Sequence, residues 1–149
     1  MSGPVTKERL SKFVYLETEY YNQLDRLCRL ENDTRLPAMK DGDGSQRSLL
    51  KSSRMENAAI RKMEQEKQIQ ARIDELEAEL TKIQDAVDGL LDPMHREVLR
   101  LRYIDCETLR LTKWNDVALK LYGNDDEKNL VALWRIHNAA LEVLERETK

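Results

Sequence analysis

From Val5 to Glu31 the residues Leu10, Phe13, Leu16, Tyr20, Leu24, Leu27 and Leu30 recur at steps of three or four, which places them on one stripe of a helix. The pattern stops between Asn32 and Ser53. There Leu36-Pro37 and Asp41-Gly42-Asp43-Gly44-Ser45 supply turn residues, so the stretch reads as an irregular connector with at most a helical turn around Leu49 and Leu50. A sharper periodicity follows: Ile69, Ile73, Leu76, Leu80, Ile83, Val87 and Leu90 alternate steps of four and three. That is a heptad seam, and at about 1.5 Å per residue it runs along a rod of roughly 30 Å whose apolar stripe must meet another helix. The first arm folded back antiparallel satisfies it, and so does the same helix of a second copy. Met55, Ala59, Ile60 and Met63 extend the helix upstream while drifting off the seam.

Asp92-Pro93 marks a boundary, since Asp caps helix N-termini and Pro suits the first helical position. The helix that starts there carries Val98, Leu99, Leu101, Tyr103 and Ile104 and breaks in Asp105-Cys106-Glu107-Thr108. Thr112 is the expected cap of the next helix, whose apolar face is Trp114, Val117, Ala118 and Leu121 and whose end is Gly123. After the turn Asn124-Asp125-Asp126-Glu127 a last helix runs to about Glu147, with Leu130, Leu133, Ile136, Ala140, Leu141 and Leu144 on its inner stripe. The expected fold is therefore all-α. A long antiparallel coiled-coil hairpin (residues 1–91, connector about 32–53) precedes a three-helix module with a helix-turn-helix (residues 92–149).

Composition narrows the possibilities. Charged residues make up 36% and aromatics 5%, with 5 Gly and 3 Pro, a balance that favours solvated helices over sheet. The net charge is −3, and from Asp92 to Lys149 ten Lys/Arg stand against eleven Asp/Glu, which leaves −1. Any contact with nucleic acid must therefore be local. Cys28 and Cys106 are isolated, which argues against a zinc site or a disulfide framework. No stretch has the run of apolar residues that a signal peptide or membrane span requires, so the expected location is a reducing cytoplasm without membrane contact.

Three helices, the last two joined through a glycine turn, match the spacing of a helix-turn-helix, whose second helix enters the major groove. Leu91-Asp92-Pro93, Arg96-Glu97-Val98-Leu99-Arg100-Leu101-Arg102-Tyr103, Trp114-Asn115-Asp116-Val117-Ala118 and Arg135-Ile136-His137-Asn138-Ala139-Ala140-Leu141 carry a further likeness. These segments resemble region four of bacterial sigma factors, closest in character to the phage and prophage relatives that include the ArpU- and RinA-type late-transcription regulators. The resemblance implies a regulator that binds double-stranded DNA near a promoter, with RNA polymerase as a second partner. It cannot be a complete sigma factor, because no separate module for opening a promoter fits in 149 residues.

The expected base readers are Arg135 and Asn138, whose side chains suit guanine and adenine edges respectively. Lys113, Lys120, Lys128 and Asn129 are the expected phosphate and register contacts, with Trp134 at the rim of the same surface. Against each stands a blander reading: a solvated helix face for the polar residues, and core packing for Trp134 and still more for Trp114. Leu130 and Val131 occupy positions where polar readers are usual. That favours a rival function, a protein-interaction or oligomerisation module that grips a protein through Leu130, Val131 and Trp134. His95 and His137 have no companion at ligand spacing, and no Gly-rich phosphate loop or convergent acid pair exists. Neither catalysis, a metal nor a cofactor is expected.

Overall fold

In the computed structural model, residues 3–32 and 45–149 are described, with the side chains of the long central helix described from residue 53 onward. Every regular element among them is helical: α1 (Lys7–Ser11), α2 (Phe13–Asn32), α3 (Ser45–Asp88), α4 (Pro93–Leu99), a π-helical turn (Arg100–Ile104), α5 (Trp114–Tyr122) and α6 (Glu127–Glu147). No helix among them is long and apolar enough to cross a membrane.

Two departures from the sequence reading concern the first half of the chain. The first arm is two helices, because α1 ends at Ser11 and Lys12 intervenes before Phe13. The connector is also shorter than the composition implies: α3 begins at Ser45, so residues 45–53 are helical, while the expected irregular stretch at 33–44 lies outside the described residues. Helix nucleation is costly and propagation is cheap, so a long helix extends backward through the Ser-rich start once its remainder is packed.

The chain divides into two compact units, Met1–Glu19 with Leu76–Lys149, and Tyr20–Glu75. The unit holding α4, α5 and α6 also takes in α1, the start of α2 and the end of α3, and so reaches beyond the boundary expected at residue 92. The physical reason is core size. A module of residues 92–149 has only a marginal core of its own, and Val5, Leu10, Phe13, Val14, Leu76, Leu80, Ile83, Val87 and Leu90 are all buried in the same unit. Polar ties hold the added pieces. Arg9 on α1 makes a two-pronged ion pair with Glu79 on α3, Nε and Nη2 to Oε1 at 2.9 and 2.7 Å and Nη2 to Oε2 at 2.8 Å. The Val5 N–H donates to Thr148 Oγ1 at 2.7 Å, fastening the N-terminal segment to the end of α6.

The heptad seam is buried from Ile73 to Leu90 within a single chain, and Ile69 is half-buried. No second copy is needed to cover the buried stretch. In the other unit the heptad positions upstream of Ile69 are Glu66 and Lys62, and Ile60 and Met63 are exposed, so the apolar stripe fades where the sequence turns polar.

Candidate nucleic-acid interface

The C-terminal helices are set by local chemistry that can be followed residue by residue. Asp92 caps α4 by accepting from the Met94 N–H at 2.9 Å, with Pro93 in the first turn. Thr112 does not cap α5. Lys113 occupies that position without a side-chain hydrogen bond, and Thr112 instead donates its N–H to the Arg102 carbonyl at 3.2 Å and accepts from Arg102 Nη1 through its own carbonyl. Gly123 ends α5 at φ +82°, the left-handed conformation that disfavours any residue with a Cβ. In the turn, Asn124 Oδ1 accepts from the Asp126 N–H at 3.3 Å and from Asn129 Nδ2.

Packing then decides which face of α6 is left outside. Val98, Val117, Ala118 and Leu133 form a fully buried cluster joining α4, α5 and α6, with Leu130, Ile136 and Trp114 packed against it. Leu133, His137, Ala140 and Leu144 face inward. Positions offset from these, Val131, Arg135, Asn138 and Glu142, are exposed and recur at steps of four, three and four, hence on one face.

The residues proposed from the sequence to contact DNA fall into separate groups. Arg135 and Asn138 share the exposed face of α6, and Lys128 is exposed one turn after Asp125 and Asp126. Asn129 is half-buried with its amide engaged by Asn124, which makes it part of the turn. Lys113 and Lys120 line a groove formed by α5 and the loop before it, to which no α6 residue contributes, and Lys120 Nζ is paired with Glu107 at 3.2 Å. Trp134, for which a place at the rim of the DNA surface stood beside core packing, is 50% exposed. One side of it meets Trp114 at 5.9 Å between ring centroids and the edge of His137 at 6.4 Å. Leu130 is packed inside, whereas Val131 is 47% exposed beside Trp134.

Beneath this surface lies a buried polar cluster that the spacing of apolar residues did not announce. His137 is 1% exposed, and its Nε2 sits 2.7 Å from the Tyr103 hydroxyl, itself buried. The π-helical turn at Arg100–Ile104 inserts an extra residue's advance, so the register of Arg102 and Tyr103 departs from the α-helical period on which the sequence argument rests. The Arg102 guanidinium stands 4.6 Å from the Trp114 ring centroid. Burial pushes the His137 ring down to about 4, and the positive charges of Lys7 and Arg102 act in the same direction. Burial likewise raises the Tyr103 phenol. The imidazole is neutral near pH 7, and its Nδ1 is buried without a hydrogen-bond partner among the described residues. A ring so enclosed belongs to the packing on the inner side of α6 and is not presented on its exposed face.

No protein-family model, no curated protein and no solved structure matches this chain.

Proposed function

We propose that this protein is a DNA-binding transcription regulator of the phage late-gene activator type, acting at a promoter alongside RNA polymerase, with α6 as the helix that enters the major groove. The observation that carries the reading is the pairing of α5 with α6 through the left-handed Gly123, with Arg135 and Asn138 both exposed on the face of α6 opposite its buried stripe. On this reading Arg135 addresses a guanine and Asn138 an adenine, while Lys128 holds a phosphate. The carboxylates of Asp125, Asp126 and Glu127 at the start of α6 oppose phosphate, so affinity rests on few cations and falls with salt only in proportion to their small number. The experiment is a titration of the full chain against duplex DNA from its own genomic neighbourhood at two salt concentrations, for wild type and Arg135→Ala. Tighter binding at low salt that weakens by about 1–3 kcal/mol in the variant supports the reading. Binding without a salt slope, or identical in both proteins, removes it.

A second reading is favoured by one observation. Val131 and Trp134 are about half exposed beside Arg135, an apolar rim where a DNA reader has polar side chains. A protein-interaction module of phage origin, gripping its partner through Val131 and Trp134, accounts for that rim without DNA. Retained DNA affinity in Trp134→Ala combined with loss in Arg135→Ala separates the first reading from this one.

A further inference from the structure

The groove between α5 and the loop that precedes it is independent of α6 and has a composition of its own. It encloses about 450 Å³, within the range of sites that accept small ligands or a few side chains. Its apolar lining comes from Leu111 and from Leu119, which is 46% exposed on the outer side of α5, while the adjoining Leu109 is 75% exposed. An α5 leucine packed inward would have joined Val117 and Ala118; Leu119 points away from that cluster instead. Of the charged residues lining the groove, Lys120 and Glu107 are paired with each other. Arg110 and Lys113 make no ion pair among the described residues, and Asp116 is the remaining carboxylate, which leaves the unpaired groups at +1.

We infer that this groove is a docking site for an acidic amphipathic peptide segment of a partner protein, which seats an apolar side chain between Leu111 and Leu119 and presents carboxylates to Arg110 and Lys113. Two features select a peptide over a nucleic-acid backbone. A phosphodiester gains nothing from leucine side chains, and two unpaired cations beside the carboxylate of Asp116 suit a segment with a few spaced charges better than a strand that is charged at every residue. A peptide spaces its charges and offers the apolar group between them. Leucines at the centre with unpaired cations at the margin follow the arrangement of protein interfaces, an apolar middle bounded by a polar rim.

The test uses the full chain and two dye-labelled synthetic peptides of equal length, one alternating leucines with pairs of glutamates and one of glutamate alone. Fluorescence anisotropy measures affinity, and amide chemical shifts report where each probe sits. The expected result is that the leucine-containing peptide shifts amides between residues 107 and 120 and binds at least ten-fold more tightly than the glutamate peptide. Leu119→Glu and Arg110→Glu each weaken it at least ten-fold. Both substitutions lie at partly or fully exposed positions, and unchanged far-ultraviolet circular dichroism certifies that the variants fold. The inference is overturned if the leucine-containing peptide does not bind, if it binds Leu119→Glu as well as wild type, or if the glutamate peptide binds equally. It is also overturned if a DNA duplex shifts the 107–120 amides and displaces the peptide, which would make the groove a phosphate contact.

Discussion

Replacing His137 by Gln removes a titrating group from the core while keeping an amide where Nε2 meets the Tyr103 hydroxyl, and so isolates the pH dependence that the buried ring imposes. In the unfolded chain an imidazole titrates near 6.5; in the fold its value is pushed down to about 4. Between those values the unfolded state takes up a proton that the folded state resists, so stability falls as pH falls. The contribution is fully present above about pH 6.5, and the loss levels off below about pH 4 at roughly 3 kcal/mol. At pH 5 the same two values give a loss of about 2 kcal/mol relative to pH 7.5. For a chain of this size that corresponds to a melting temperature lower by about 4–8 °C. The assay is thermal and urea unfolding followed by circular dichroism from pH 7.5 to pH 5, for wild type and His137→Gln in parallel. Every other titratable group is common to both proteins, so the difference between the two curves reports His137 alone. Wild type should lose about 2 kcal/mol more than the variant over this interval. Curves that descend in parallel would show that the ring is solvated in solution and that the buried Tyr103 pair does not hold.

Gly123→Ala should destabilise the protein by about 1 kcal/mol in urea unfolding, because φ is +82° there while an added Cβ meets no atom within 4 Å; a neutral outcome would mean that the turn relaxes out of the left-handed conformation. Glu79→Gln should lower stability by about 1–2 kcal/mol, with the difference shrinking at high salt, since it breaks a two-pronged, partly buried contact with Arg9. A substitution without effect there would place Arg9 in solvent.

The residues that were easiest to read were those whose role is local. Asp92 with Pro93, and Gly123 at the end of α5, fix helix ends through interactions a few residues long, and the structure has them where the sequence puts them. Thr112 was misread because a threonine before a helix is as suitable a cap as any, and only the approach of Arg102 diverts its backbone to another use. His137 shows the opposite limit. It takes a place on the inner stripe of α6 that the spacing of apolar residues did not assign to it, and its hydrogen bond to Tyr103 depends on the π-helical turn, which no periodicity of apolar residues announces.

By itself the sequence determined the all-helical class and the buried heptad seam, because each follows from intervals of three, four or seven residues along one chain. Only tertiary packing decided that α1 and the end of α3 belong to the same compact unit as α4 to α6, that Trp134 is half exposed, and that Lys113 and Lys120 line a groove apart from α6. Those outcomes depend on which surfaces separated by many tens of residues exclude water together. A short-range pattern states which residues seek burial and leaves open which distant partner covers them.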